Sequence, residues 1–285
     1  MRATNPRLVV DGLVFPEGPR WRDGRLWLCD FELWLPDRKG RVLVVDEGGT
    51  ARTAVDQVPA RGLGWLPDGR LLIVAGRSLL ALEADGTLTE HADLSGVTSY
   101  SCNELVVDAS GRAYTGAVDT VGGGIPGPTL TELIVVQPDG RAEVADTAIR
   151  VPNGFMITPD GGTLIVAESR GQCLTAFTIA GDGSLGHKRV WSEVPGMVPD
   201  GPCLDQEGCV WFADATGNAC VRVAEGGKIK ERVETDQGAY ACALGGADGR
   251  TLFVMTSTFP SGDSFDPRPG KIVAYEVDVP GIGTP

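Results

Sequence analysis

Histidine is nearly missing from this chain: His91 and His187 are the only two in 285 residues. A histidine dyad or a Ser-His-Asp triad therefore has little to build on. His91 follows the turn region from Glu83 to Glu90 and His187 follows the Gly183 to Gly186 turn, so both read as surface loop residues. There is no Gly-x-Ser-x-Gly elbow, phosphate loop or dinucleotide fingerprint, which argues against nucleotide-dependent chemistry. The seven cysteines, Cys29, Cys102, Cys173, Cys203, Cys209, Cys220 and Cys242, lack zinc-knuckle spacing and cannot all pair within the chain. They read as free thiols serving as small core residues. No apolar run approaches the roughly 20 residues of a spanning helix, and Met1 to Arg7 lacks a basic stretch followed by an apolar core. A cytoplasmic location is the expectation. Basic residues are in deficit, 25 against 38 acidic ones, for a formal charge of -13. That balance speaks against nucleic acid and anionic membrane surfaces as partners and favours attraction of cations.

A sustained helical period is also absent. What the chain has instead is glycine, 40 residues of it, as suits a protein made of tight turns. Turn signals at Asp23-Gly24, Asp68-Gly69, Ser110-Gly111, Asp160-Gly161, Glu207-Gly208 and Asp248-Gly249 recur 41 to 50 residues apart. Each unit offers several short strands; one runs from Asn153 through the Pro159-Asp160-Gly161-Gly162 turn, then through Cys173 to Ile179 and Lys188 to Val194. Six such units predict an all-β, six-bladed β-propeller. The repeat fills the chain and 42% of residues are hydrophobic, which predicts one domain over 1–285. An unpaired edge invites aggregation, so Arg7 to Val14 is expected to close the last blade beside Lys271 to Val277.

Proline, an oxygen-bearing residue and glycine recur at one phase of the repeat: Pro16-Glu17-Gly18, Pro152-Asn153-Gly154 and Pro199-Asp200-Gly201. Similar tripeptides at Pro67-Asp68-Gly69, Pro138-Asp139-Gly140 and Pro159-Asp160-Gly161 are ordinary turn signals, and phase separates the two classes. Glu17 lies six residues before its turn, while Asn103, Asn153 and Asp200 each lie seven before theirs. The other two blades offer Arg61 and Ala241 there. The first strand of each blade lines the central channel, so four oxygen-bearing groups are expected to converge on one axial site.

Two carboxylates and a neutral amide oxygen balance a divalent cation. All-oxygen ligation favours calcium, magnesium or manganese over a thiolate or imidazole metal. Three protein ligands leave positions open for water and substrate, and an open metal polarises a carbonyl or lowers the pKa of bound water. Ester or lactone hydrolysis of a small molecule is the natural reaction class; phosphotriester hydrolysis needs the same Lewis acid, and a binding propeller with a structural ion is the non-enzymatic alternative. Two long loops, Thr120 to Thr131 and Thr258 to Gly270, are candidate lids. Trp34, Tyr100, Phe155 and Phe259 are candidates for an apolar mouth.

Phe15-Pro16-Glu17-Gly18-Pro19-Arg20-Trp21, Cys102-Asn103-Glu104 with Val107 to Arg112, Pro152-Asn153-Gly154 and Pro199-Asp200-Gly201 resemble the senescence marker protein/gluconolactonase family of six-bladed propellers along the whole chain. The resemblance implies a metal-dependent lactonase with one divalent cation, calcium favoured and magnesium, manganese, zinc or iron(II) also accommodated. It implies that Glu17, Asn153 and Asp200 bind this ion, that Asn103 binds metal-linked water or substrate, and that Asp200 doubles as general base. Family members include sugar-lactone hydrolases, other lactonases and organophosphate hydrolases. Sugar lactonases of the family commonly carry arginine two places before the channel asparagine and aspartate after it; here Ser101 and Glu104 stand there. Without that arginine a donor for a polyhydroxylated substrate is missing.

Overall fold

The computed structural model describes residues 6–32, 35, 37, 39–118, 130–259 and 266–283. These form strands, turns and irregular segments without a helix, and no helix among them is long and apolar enough to cross a membrane. Twenty-four strands make six four-stranded sheets, and the fold is a six-bladed β-propeller. In five sheets the strands follow chain order, beginning with Pro16–Arg22, Ala60–Trp65, Ser101–Val107, Pro152–Ile157 and Pro199–Leu204. The sixth joins both chain ends. Its strands Gly238–Gly245, Thr251–Ser257 and Gly270–Glu276 are completed by Arg7–Leu13, which pairs antiparallel with Gly270–Glu276. The closing strand read from the sequence is thus found, one residue shorter than expected.

Two compact units divide the chain, residues 1–60 with 200–284 and residues 61–199, and each boundary falls after the first residue of a first strand. Within each unit the sheets pack face to face through apolar side chains. In the first, Leu28, Leu43, Phe253 and Ile272 join the first and sixth sheets, and Trp211, Val254 and Tyr275 join the fifth and sixth. In the second, Tyr114, Phe155, Ile157 and Phe177 join the third and fourth.

Burial grades along each sheet as composition dictates. Second strands such as Leu71–Ala75 and Val210–Asp214 are apolar runs buried on both faces. Fourth strands such as Ile229–Glu234 are charged and mostly exposed, which keeps the outer edge from pairing with another chain. The expected third strand Cys173 to Ile179 is observed with those bounds, while the fourth, Leu185–Glu193, begins three residues earlier than expected.

Candidate functional site

The two classes of Pro-x-Gly tripeptide adopt different local structures. In Pro67-Asp68-Gly69, Pro138-Asp139-Gly140 and Pro159-Asp160-Gly161 the aspartate sits in a hairpin turn, where its Oδ1 accepts the amide N–H two residues on, at 3.0, 3.2 and 3.0 Å. These carboxylates are exposed, and hydrogen bonds from Arg70, Arg141 and Thr158 hold them below the usual carboxylate range. Such residues complete turns.

At Glu17 and Asn153 of the other class, and at Asn103, the oxygen-bearing residue stands at a β-bulge. Register shifts separate Glu17 from Arg20, Asn103 from Leu105 and Pro152 from Phe155. The residue after each candidate is left-handed: Gly18 at φ 58°, Glu104 at 56°, Gly154 at 121° and Gly201 at 39°. A bulge adds a residue to one strand and re-aims the side chain beside it. Glu104 breaks the glycine pattern in sequence but keeps the same left-handed backbone. Its side chain is buried and its carbonyl accepts from Thr115 Oγ1 at 2.6 Å.

In the first unit, Glu17 and Asp200 are 6% and 5% exposed. Both charges reach the Tyr240 phenol, whose pKa is pushed up to about 12, first by burial and then by Asp200 and Glu17. Gly201 explains the approach: a Cβ there would lie 2.3 Å from Ala241 Cβ and 2.9 Å from the Tyr240 carbonyl oxygen, so only glycine lets these two strands touch. The Tyr240 ring lies 4.5 Å from Phe15 and 5.7 Å, edge-on, from Phe259, and Phe15 and Phe259 are 5.1 Å apart.

In the second unit, Asn103 Nδ2 donates to Asn153 Oδ1 at 2.6 Å. Both side chains are half-buried. The bond fixes which way the Asn153 amide faces and leaves its carbonyl oxygen a second lone pair.

The two buried carboxylates of the first unit and the oriented amide oxygen of the second are each hard oxygen donors, the kind that calcium or a similar divalent ion takes. Among the described residues no three His, Cys, Asp or Glu side chains cluster for a metal; a site here draws on amides. The thiols offer no rival: all seven are free, burial pushes Cys102 up to about 12 and holds Cys203 and Cys242 well above the ordinary thiol value. Those three are kept from the nucleophilic thiolate form.

Some expectations need correction. His91 is not a loop residue: it lies in the strand Leu88–Asp93 with Nε2 buried and unpartnered among the described residues, and burial lowers its pKa. His187 is exposed, as expected, but sits in a strand. Phe155 belongs to the apolar core, whereas Phe259 is 46% exposed. Trp34, residues 120–129 of one candidate lid and 260–265 of the other lie outside the described residues. Counting back from Asp248 selects Ala241, which is fully buried; the neighbouring Tyr240, the extra residue of a bulge between Ala239 and Ala241, is the one whose phenol feels the Asp200 and Glu17 charges. No glycine marks that bulge, and it lies one step beyond the counted residue.

Over 235 residues the chain is 26% identical to the 6-deoxy-6-sulfogluconolactonase of Pseudomonas putida, covering 78% of each chain. It is 27% identical to the diisopropyl-fluorophosphatase of Loligo vulgaris, covering 79% of this chain and 80% of that one. The solved structure of regucalcin from Agrobacterium tumefaciens str. C58, described as a calcium-binding protein, shares the fold at TM-score 0.82 and 21% identity, covering 99% of this chain and 96% of that one. The pattern of the SMP-30/Gluconolactonase/LRE-like region matches residues 15–258, a span that contains Glu17, Asn103, Asn153 and Asp200, and the chain belongs to that family.

Proposed function

We propose that this protein is a divalent-cation-dependent hydrolase of a small lactone or ester, with Glu17, Asn153 and Asp200 as the cation's ligands. The observation that carries the reading is positional: these three and Asn103 each stand immediately before the left-handed residue of a first strand, in four different sheets. Calcium is the favoured ion because the donors are all oxygen and two are carboxylates. Bound there, a divalent ion supplies a Lewis acid for the carbonyl and a more acidic water. Asp200 takes the proton of the attacking water, and its burial keeps that proton transfer away from bulk solvent. Asn103 holds the Asn153 amide in place through its 2.6 Å bond, and its remaining N–H is a donor for the oxyanion that develops on the substrate. Glu17 supplies the second negative charge. The sulfogluconolactonase and fluorophosphatase relatives bring two substrate classes to this site, and phosphotriester hydrolysis is the second reading.

The test is a panel of lactones, aryl esters and a phosphotriester, assayed after chelation and readdition of single cations. Turnover restored by one ion supports the hydrolase, and the preferred substrate decides between the two readings. Asp200→Asn is expected to lose roughly two to four orders of magnitude in rate at saturating cation. A chelated protein as active as the loaded one ends the metal-dependent reading.

A further inference from the structure

We propose that Phe15, Tyr240 and Phe259 select the substrate of this same site, a lactone or ester carrying an aryl or branched alkyl group rather than a polyhydroxylated one; this rests on the hydrolase reading above. Phe15 directly precedes Pro16-Glu17 and is buried, while Phe259 is 46% exposed. Phe259 is nonetheless held by two ring contacts, at 5.1 Å to Phe15 and 5.7 Å at 88° to Tyr240. An exposed ring gripped by two others presents a fixed apolar face, where a loose one would be ordinary surface. Tyr240 is half-buried, its backbone rests on Gly201 beside Asp200, and its phenol feels the Asp200 and Glu17 charges. Aromatic surface and candidate ligands therefore adjoin within one unit.

Recognition of a polyol needs donors and acceptors that are not already engaged. Three polar side chains close in sequence to Tyr240 and Phe259 are spent on the protein itself. Gln237 Nε2 donates to Thr256 Oγ1 at 3.1 Å and to the Pro269 carbonyl at 2.8 Å. Ser257 Oγ donates to the Val14 carbonyl at 2.9 Å, and Thr235 Oγ1 to the Gln237 carbonyl at 2.7 Å. The Tyr240 hydroxyl has no hydrogen-bond partner among the described residues, leaving a single polar group on an otherwise apolar wall. One donor orients one substrate oxygen; it does not read a sugar.

The experiment compares γ-phenyl-γ-butyrolactone, γ-butyrolactone and glucono-δ-lactone on the cation-loaded full-length protein, with kcat and KM separated. The wild type is expected to prefer the phenyl lactone. Phe259→Ala should raise KM for the phenyl lactone about tenfold more than KM for γ-butyrolactone, and Tyr240→Phe should retain the preference that Tyr240→Ala loses. A wild type that prefers glucono-δ-lactone, or a Phe259→Ala variant that raises both KM values equally, overturns the proposal. Calorimetric titration with the unreactive 5-phenylpyrrolidin-2-one and pyrrolidin-2-one reads the wall without turnover. Tighter binding of the phenyl lactam, lost in Phe259→Ala, upholds the wall even where no lactone is hydrolysed and the hydrolase reading falls. Equal binding of the two lactams overturns the wall whatever the turnover.

Discussion

Gly201→Ala isolates the contact that holds the Asp200 strand against Tyr240. At φ 39° the new side chain pays the left-handed penalty, about 1 kcal/mol. Its Cβ would also lie 2.3 Å from Ala241 Cβ and 2.4 Å from Ala241 Cα. Carbon atoms rest at about 3.5–4.0 Å, so the two strands must part by more than ~1 Å. Neither neighbour is the end of a flexible side chain, and overpacking of this kind costs about 1–3 kcal/mol. The sum is about 2–4 kcal/mol, or a fall in Tm of roughly 3–7 °C for a chain of this size. Gly208→Ala is the control: Gly208 is left-handed too, at φ 72°, but nothing lies within 4 Å of its Cβ position, so only the conformational penalty of about 1 kcal/mol applies. Thermal and urea unfolding followed by circular dichroism measure both. If Gly201→Ala costs no more than Gly208→Ala, the close approach of the two strands is refuted, and with it the reason for glycine after Asp200.

Three further outcomes follow from the same geometry. Asn103→Ala removes the donor that orients the Asn153 carbonyl and should weaken calcium binding, measured by calorimetry, about tenfold or more; unchanged affinity would show that Asn103 does not position Asn153. At Glu104, with φ 56°, the Gly variant should be more stable than the Ala variant by about 1 kcal/mol, the reverse of their order in a regular strand; a more stable Ala variant would remove the left-handed assignment. His91 gives a pH dependence. Burial lowers its pKa from 6.5, with Arg70 adding to the shift and Asp68 and Asp139 opposing it. The unfolded imidazole then binds a proton that the folded one resists, so stability falls as pH drops below about 6.5. Unfolding midpoints of wild type and His91→Gln between pH 7.5 and 5 should converge toward the acid end; a constant gap would show that His91 does not titrate differently in the two states.

Much of the fold was legible because each turn repeats the same chemistry. Aspartate or serine before glycine closes the hairpins, apolar runs such as Leu71–Ala75 sit between them, and the charge of Ile229–Glu234 marks an outer strand. His91 was misread because a polar run, Thr89-Glu90-His91, looks the same in a loop and in an exposed outer strand. Only packing tells the two apart, and there it buries Nε2.

The candidate site was legible to the extent that its bulges are written in glycine. Glu17, Asn153 and Asp200 each precede a glycine whose left-handed φ re-aims them, and a count of six or seven residues back from the hairpin finds all three. Glu104 shows that the conformation does not require the glycine, so the count rather than the tripeptide carried Asn103. Tyr240 shows where the count itself fails. Its strand bulges at a residue outside the left-handed region, between Ala239 and Ala241, and a bulge of that kind has no residue preference to announce it. Counting from Ser110 to Asn103 passes over the bulge at Glu104, whereas counting the same seven residues from Asp248 stops at Ala241, short of the bulge in that strand. The alanine that the count selects is buried in the core, and it is the phenol of the tyrosine beside it that feels the Asp200 and Glu17 charges. An alignment by turns alone will miss residues of this kind wherever the bulge sits farther along the first strand, so of the proposed aromatic wall the sequence offered Phe259, while Phe15 and Tyr240 join it through the packing of the rings.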